Sequence, residues 1–407
     1  MKLIRRSNNK ETPKSSLSEP KKYNEYYENI SVRLGIAQVI LYLSLFAFVV
    51  LAFVFNTNLI TYQNFYYFFQ DLNASAEMVD IFNSDSVSYP TSQQQSFALY
   101  RRGLAVAGNH SVTVFSATGR QLLSENVQYQ NPTAVGAGKY LLVYEFGGTK
   151  YSLYNSNVQI HSAQSESPIR GAAVSDSGSY ALISSSQGAT STVSLYNDRF
   201  SLINRYHKSG YVMDVAINFD GEKIAILTSS PSGAGFSTSL MLAEAGRGEA
   251  IEETFVSDSI GLSCCFTSSQ NISVVCQNGI TFLHSDGKKL TEYSFDGKIP
   301  ALMDLNADGV AVCLKKNMIS PRNIVIVFDK DGKIVYNETI VTEAENVLLY
   351  GGSLFWIDAD GVSRCQFKNK QVDFYPCTTS QRQFLAVAED ELLSCSPQKA
   401  FYIVFPS

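Results

Sequence analysis

What these 407 residues lack narrows the possibilities before any motif is read. Cysteine is absent from the first 263 positions, and all seven lie between Cys264 and Cys395. An odd count leaves at least one thiol unpaired and excludes a disulfide framework running along the chain. No Cys-x-x-Cys pair occurs. Adjacent Cys264 and Cys265 would point to opposite faces of a strand, so they cannot share a zinc ion. The cysteines read as small buried packing residues; Cys365 and Cys377, on neighbouring expected strands, are the pair to test for a disulfide. Charge is also scarce, with Asp, Glu, Lys and Arg at 17% and a net charge of −5. Without an overall basic surplus the chain lacks the charge that a nucleic-acid backbone calls for, which argues against nucleic acid as a partner. GxSxG, HExxH, P-loop and GxGxxG patterns are missing from any suitable context.

One stretch lacks charge and proline altogether. Residues 34–55 read LGIAQVILYLSLFAFVVLAFVF. As a helix they span about 33 Å, against a hydrocarbon core of about 30 Å. Gln38 and Ser44 are too few to make the polar stripe of a soluble helix, so a transmembrane helix is expected. Residues 1–33 hold eight basic residues, and the next after the helix is Arg101. Positive charge stays on the cytoplasmic side, which puts the N-terminus inside and everything after Asn56 outside the cell membrane. The tail 1–33 is expected to be disordered. Within a juxtamembrane segment 56–76, Tyr62, Phe65, Tyr66 and Tyr67 would sit at the outer membrane interface. The apolar run and the basic segment before it are both long for a cleaved signal peptide, so an uncleaved signal anchor is expected.

From about residue 96 onward no amphipathic helical period appears. Short apolar runs recur instead, such as YLLVY (140–144), KIAIL (223–227) and NIVIVF (323–328). They are continuous rather than alternating, as in strands covered on both faces. Between them recur Asp/Asn–Gly turns, as in AINFDGEKIAIL (216–227) and VFDKDGKIV (327–335), where Gly supplies the positive φ of a hairpin. Four-strand units start near residues 96, 131, 168, 211, 259, 298, 343 and 382, at spacings of 35 to 48 residues. That is the period of propeller blades. The last unit holds three strands, so a segment near 78–82 or 87–89 would supply its fourth and leave no open edge. An all-β, eight-bladed propeller over residues 77–407 is expected, with seven blades the alternative.

In these strand–Asp–Gly–strand repeats the chain resembles WD-repeat-like and quinoprotein-like propellers. It looks most like an uncharacterised bacterial family joining an N-terminal membrane helix to such a propeller. The resemblance covers roughly residues 30–407 and implies fold and topology, without an activity. The Gly-His and Trp-Asp dipeptides of true WD repeats are absent. Quinone-dependent enzymes resemble one another in recurring tryptophan docking motifs, whereas this chain has one tryptophan, Trp356, read as a packing residue.

Residues 304–309, DLNADG, open like a calcium loop. Its twelfth position is Lys315, where a bidentate Glu is needed, so the run reads as a hairpin turn. His110, His161, His207 and His284 fall in different units without metal-ligand spacing. No catalytic, cofactor-binding or metal residue is assigned; a paired-carboxylate hydrolase leaves no spacing to read. Binding is expected on loops joining the second and third strands of a blade, at 184–192, 228–237 and 315–323. The candidate rim is Lys315, Lys316, Met318, Arg322 and Phe236. The functional expectation is a non-enzymatic, membrane-anchored extracytoplasmic scaffold for a protein or an envelope polymer. A single-pass sensor and an envelope hydrolase are the alternatives.

Overall fold

The computed structural model describes residues 21–55, 86–100, 103–155, 158–186, 188–246, 249–317, 322–340, 343–379 and 383–406. It divides into two compact units, residues 1–79 and 80–407. In the first, α1 (Lys21–Phe55) is a single helix of 35 residues. Its stretch Tyr27–Phe48 is long and apolar enough to cross a membrane, and its leucines and phenylalanines are bare. The polar side chains bond within the helix: Gln38 Nε2 donates to Tyr42 Oη at 3.3 Å, and Ser44 Oγ donates to the Leu41 carbonyl at 2.9 Å. Both therefore tolerate an apolar solvent. Residues 21–33, expected in a disordered tail, are helical. They contain neither Pro nor Gly, and propagating a helix from an existing one is cheap. Tyr62, Phe65, Tyr66 and Tyr67 lie outside the described residues.

The second unit is built of eight four-stranded antiparallel sheets. A two-residue strand, β1 (Val87–Ser88), comes first. Blade 1 then takes β2–β5 (95–126), blade 2 β6–β9 (132–164), blade 3 β10–β13 (169–208) and blade 4 β14–β17 (211–257). Blade 5 takes β18–β21 (261–294), blade 6 β22–β25 (299–340), blade 7 β26–β29 (346–376) and blade 8 β30–β32 (383–404). Every observed start lies within three residues of the expected one, and the count is eight. In β19 (Asn271–Cys276) and β27 (Ser353–Asp358) every residue is buried. Neighbouring blades cover both faces, which is why these strands read as unbroken apolar runs. The core is a set of inter-blade layers. Leu227 and Leu242 of blade 4 meet Phe266 and Val274 of blade 5; Val325 and Val327 of blade 6 meet Leu354 and Trp356 of blade 7. Trp356 is the packing residue expected.

Closure happens in blade 8, where β1 adds to the outside of β32 (Lys399–Val404) by pairing Val87 with Ala400 and Ser88 with Lys399. The next residue does more. Tyr89 N donates to the Gln398 carbonyl at 3.1 Å and its hydroxyl to the Ser396 carbonyl at 2.6 Å. Its ring packs against Phe97 and Phe115 of blade 1, with centroids 5.7 and 6.3 Å away. On the other side of blade 8, Arg364 of β28 (Gly361–Gln366) is fully buried. It donates to Asp373 on β29 (Val372–Pro376) and to the Pro406 carbonyl, 5.2 Å above the Phe405 ring. Its Nε and Nη1 have no hydrogen-bond partner.

Cys365 lies in the layer between blades 6 and 7, whereas Cys377 packs against the layer between blades 7 and 8. The thiols face opposite sides of one sheet, so the disulfide considered for them does not form. Burial pushes Cys265, Cys276 and Cys313 up to about 12, which leaves almost no thiolate at neutral pH.

Three outcomes follow. Tyr89→Ala should cost about 3–5 kcal/mol in urea unfolding, the range for a buried aromatic. Arg364→Ala should cost about 3–5 kcal/mol by emptying its buried site and stranding Asp373, and Arg364→Met less, since its side chain refills that volume although Asp373 is stranded in both. In native protein a maleimide should leave Cys264, Cys276, Cys313 and Cys395 unlabelled, and in urea it should reach all seven thiols, read by intact mass.

Candidate functional site

In each blade the hairpins joining the second to the third strand open on one face of the ring. Those joining the first to the second and the third to the fourth open on the other. On the former face, two of the three expected loops are mostly strand. β11 (Tyr180–Ser186) and β12 (Ala189–Tyr196) run through 184–192. β15 (Lys223–Ser232) and β16 (Gly235–Glu244) pair without a break out to Ser232 and Gly235. The segment 228–237 is therefore a hairpin arm turning at Gly233, which holds a φ of 57°. Its root is locked: the Ser229 and Thr238 hydroxyls lie 2.7 Å apart, and Gly261 N of blade 5 donates to both, at 3.0 and 2.9 Å. Beyond the root, residues 231–235 are exposed, and half-buried Phe236 sits opposite Pro231.

In the third loop, Lys315 Nζ pairs with Glu343 Oε1 at 3.1 Å with its side chain only 15% exposed. Its charge braces blade 6 against the linker into blade 7. Lys316 and Arg322 are exposed, and Met318 lies outside the described residues. Phe236 belongs to blade 4 and the lysines to blade 6, with blade 5 between them. The four described rim residues are thus divided between two blades.

Two half-buried carboxylates sit on innermost strands. Asp214 of β14 (Tyr211–Ile217) accepts from Ser263 Oγ at 2.6 Å and Cys264 N at 3.0 Å, both in blade 5. Asp304 of β22 (Ile299–Asn306) accepts from Leu349 N of blade 7 at 2.7 Å and from Asn306 Nδ2 at 3.2 Å. Asn306 Nδ2 also donates to the Leu349 carbonyl at 2.8 Å, and Asp308 Oδ2 accepts from Gly351 N at 2.7 Å. The calcium-like run is thus a turn whose oxygens fasten blade 6 to blade 7. Burial raises both carboxyls, Asp304 to about 6. The fastening accounts for both residues without a catalytic role. The only sequence trace of it was one Asp in each otherwise apolar strand, YVMDVAI and ALMDLN.

Among the described residues no group of three His, Cys, Asp or Glu side chains could hold a metal ion. His161 stacks on Phe200 at 4.5 Å, and His207 Nδ1 lies 3.1 Å from Thr192 Oγ1. Phe200 itself holds a φ of 62°, where the matching turn of blade 6 has Gly332; the stack offsets part of that strain. A polar cleft of about 420 Å³ opens between blades 1 and 2, lined by Gln128, Tyr129, Lys150, Ser152, Ser162 and Gln164 among others.

A family model described as a family of unknown function, DUF5711, matches residues 79–387. A search of curated proteins finds no match. Among solved structures, the C-terminal WD40 domain of Sif2 is similar at 10% identity, with 79% of this chain and 99% of that one covered and a TM-score of 0.57. BamB from Moraxella catarrhalis is similar at 11% identity, over 78% and 99% of the two chains, with a TM-score of 0.52. Sqt1 from Chaetomium thermophilum, bound to the N-terminus of the ribosomal protein L10, aligns at 11% identity over 79% and 99%, with a TM-score of 0.55. At such identities the likeness is one of fold.

Asp304 generates a pH prediction. Burial lets its folded carboxyl keep the proton to about pH 6, against an ordinary value of 3.8. The folded state binds more protons across that window, so this group's contribution is fully present below it and lost as pH rises through it. Asp304→Asn retains an oxygen acceptor for Leu349 N and removes the charge. It should be more stable than the parent by on the order of 2 kcal/mol above about pH 7, and no more stable below about pH 4, by urea titration. Equal stability of the two proteins at alkaline pH would contradict this account.

Proposed function

The chain belongs to the DUF5711 family of unknown function, and we propose that it is a membrane-anchored scaffold whose propeller binds a protein partner outside the cell membrane. One observation carries the binding reading. Asp214, Asp304 and Lys315 are committed to bonds that fasten a blade to the next one or to its linker, while a polar arm projects from blade 4 on a locked root. The arm also offers backbone. Residues 235–237 of β16 pair with β15 alone, because pairing with β17 (Glu249–Ser257) begins at Thr238. An extended partner segment can add to such an edge. Support by analogy of fold comes from Sqt1, solved with the N-terminus of L10 bound to it.

The membrane reading rests on α1 and its flanks. A bare apolar helix needs lipid or a partner, and the basic excess before it puts the N-terminus in the cytoplasm. Anchoring holds the ring in two dimensions and raises its effective concentration toward neighbours.

Replacing residues 231–236 by an Asn-Gly turn should leave the melting temperature within about 2 °C of the parent and abolish partner recovery in a crosslinking pull-down from native cells. Undiminished recovery would remove the arm from the account. Protease added to intact cells should cleave the chain after residue 56 and spare the basic tail; a protected propeller would reverse the orientation.

A further inference from the structure

The third-to-fourth-strand turns differ around the ring. In blades 5 to 7 they read SDGKKL, DKDGKI and FKNKQV, and they bring Lys288, Lys330, Lys333, Lys368 and Lys370 to one rim, all exposed. Among the described residues, the matching turns of blades 1 to 4 offer only Arg120 and Arg199 as cations. The acids within the lysine arc are engaged. Asp286 pairs with Lys288 at 3.0 Å and Glu338 with Lys370 at 3.3 Å. Asp329 Oδ1 caps its own turn, accepting from Asp331 N and Lys333 N at 2.9 Å, and Asp331 accepts from Asn271 Nδ2 at 3.0 Å. Among the described residues Lys330, Lys333 and Lys368 make no ion pair.

Each lysine group leads into apolar side chains on the outer wall. Leu290 follows in blade 5 and Ile334 with Val335 in blade 6, all exposed. In β29, Val372 and Phe374 are 54% and 53% exposed on one side of a five-residue strand. A sheet edge that faces only water is normally blunted with charge rather than lined with Phe and Val. β9 (Gln159–Gln164) of blade 2 meets that rule with Gln159, Ser162 and Gln164 outward. Blade 4 also exposes Ile251 and Phe255, but among Glu249, Glu252 and Glu253, which ends the basic arc there.

Resting on the membrane-anchor reading, we infer that the lysine rim and outer wall of blades 5–7 seat against a lipid surface carrying anionic headgroups. Two observations select lipid as the occupant. Lysines fringing exposed aliphatic and aromatic side chains match the charged and interfacial layers of a bilayer in sequence. The chain coming from α1 also joins the ring next to this arc, because β1 is the outermost strand of blade 8. A protein partner would call for a concave pocket around a buried anchor, and this wall is strung convexly over three blades.

The test uses the full-length chain in detergent, in nanodiscs of phosphatidylcholine, and in nanodiscs of phosphatidylcholine doped with phosphatidylglycerol. Amide exchange is followed in residues 330–335 and 368–376, and in residues 34–48 as the report on the anchor. The expected result is exchange slowed by about threefold or more in the outer wall in the anionic discs, with less slowing in the neutral ones. That slowing should be lost when Lys330, Lys333, Lys368 and Lys370 are all replaced by Ser, without a change in melting temperature. A protected helix with an unprotected wall in anionic discs overturns the seating and leaves the anchor standing. An unprotected helix overturns the anchor, and the seating with it. Protection that persists in the Ser variant overturns the electrostatic basis of the contact.

Discussion

The ring depends on one join. Each blade is a sheet with both faces apolar, so each needs a neighbour on both sides, and an open row of such sheets would leave two oily faces in water. Closure removes them, and here it rests on three consecutive residues. Val87 and Ser88 supply the strand, but two residues of ladder are a weak clasp. Tyr89 makes the join specific, reaching two carbonyls of blade 8 with its amide and hydroxyl while its ring lies against Phe97 and Phe115 of blade 1. Because the join pairs residue 88 with residue 399, it forms late in a chain of otherwise local hairpins. It also fastens the segment leading from the N-terminal helix into the last blade.

Between the other blades, apolar layers supply the attraction and a few polar bonds set the register. Asp214, Asp304, Asp308 and the Ser229–Thr238 pair each reach a backbone N–H of the following blade. A carboxylate is costly to bury, and the raised carboxyls of Asp214 and Asp304 carry that cost. What it secures is direction: an apolar layer alone lets one blade slide on the next, whereas a carboxylate with a single N–H within reach does not. The same reasoning covers Arg364, whose unpaired donors are tolerated because Asp373, Pro406 and Phe405 fix it at the far side of the closing blade.

Local signals were legible in the sequence, and facing relations were not. Asp–Gly hairpins and unbroken apolar runs are written in neighbouring residues, so the blade starts could be placed from them, while the closing segment was narrowed only to 78–82 or 87–89. Whether Cys365 meets Cys377 depends on which side of a sheet each thiol takes, and the intervening turn hid that. DLNADG has the oxygens of a cation loop, and only the position of Leu349 and Gly351 in the next blade shows where they are spent. The segment 228–237 looked like a loop because Ser, Thr, Gly and Pro are turn residues. It is a hairpin because β15 and β16 carry their pairing past the edge of the blade, where no apolar layer demands apolar residues. Residues 21–33 read as tail by composition, yet a helix propagates into any adjoining segment that contains no breaker.

The two faces of the ring are unlike, and the topology links them. A meander of four strands puts the second-to-third hairpins on one face and the third-to-fourth hairpins on the other. The arm of blade 4 belongs to the first set and the lysine turns of blades 5 to 7 to the second. A ring held by its lysine rim would therefore carry the arm on the side away from the held surface, at the full depth of a blade. This arrangement asks little of the side chains in between, which are free to serve as packing and register. The ring then acts as a rigid spacer that fixes where an extended hairpin stands, which is consistent with Asp214, Asp304 and Asp308 each being spent on a backbone N–H of the next blade.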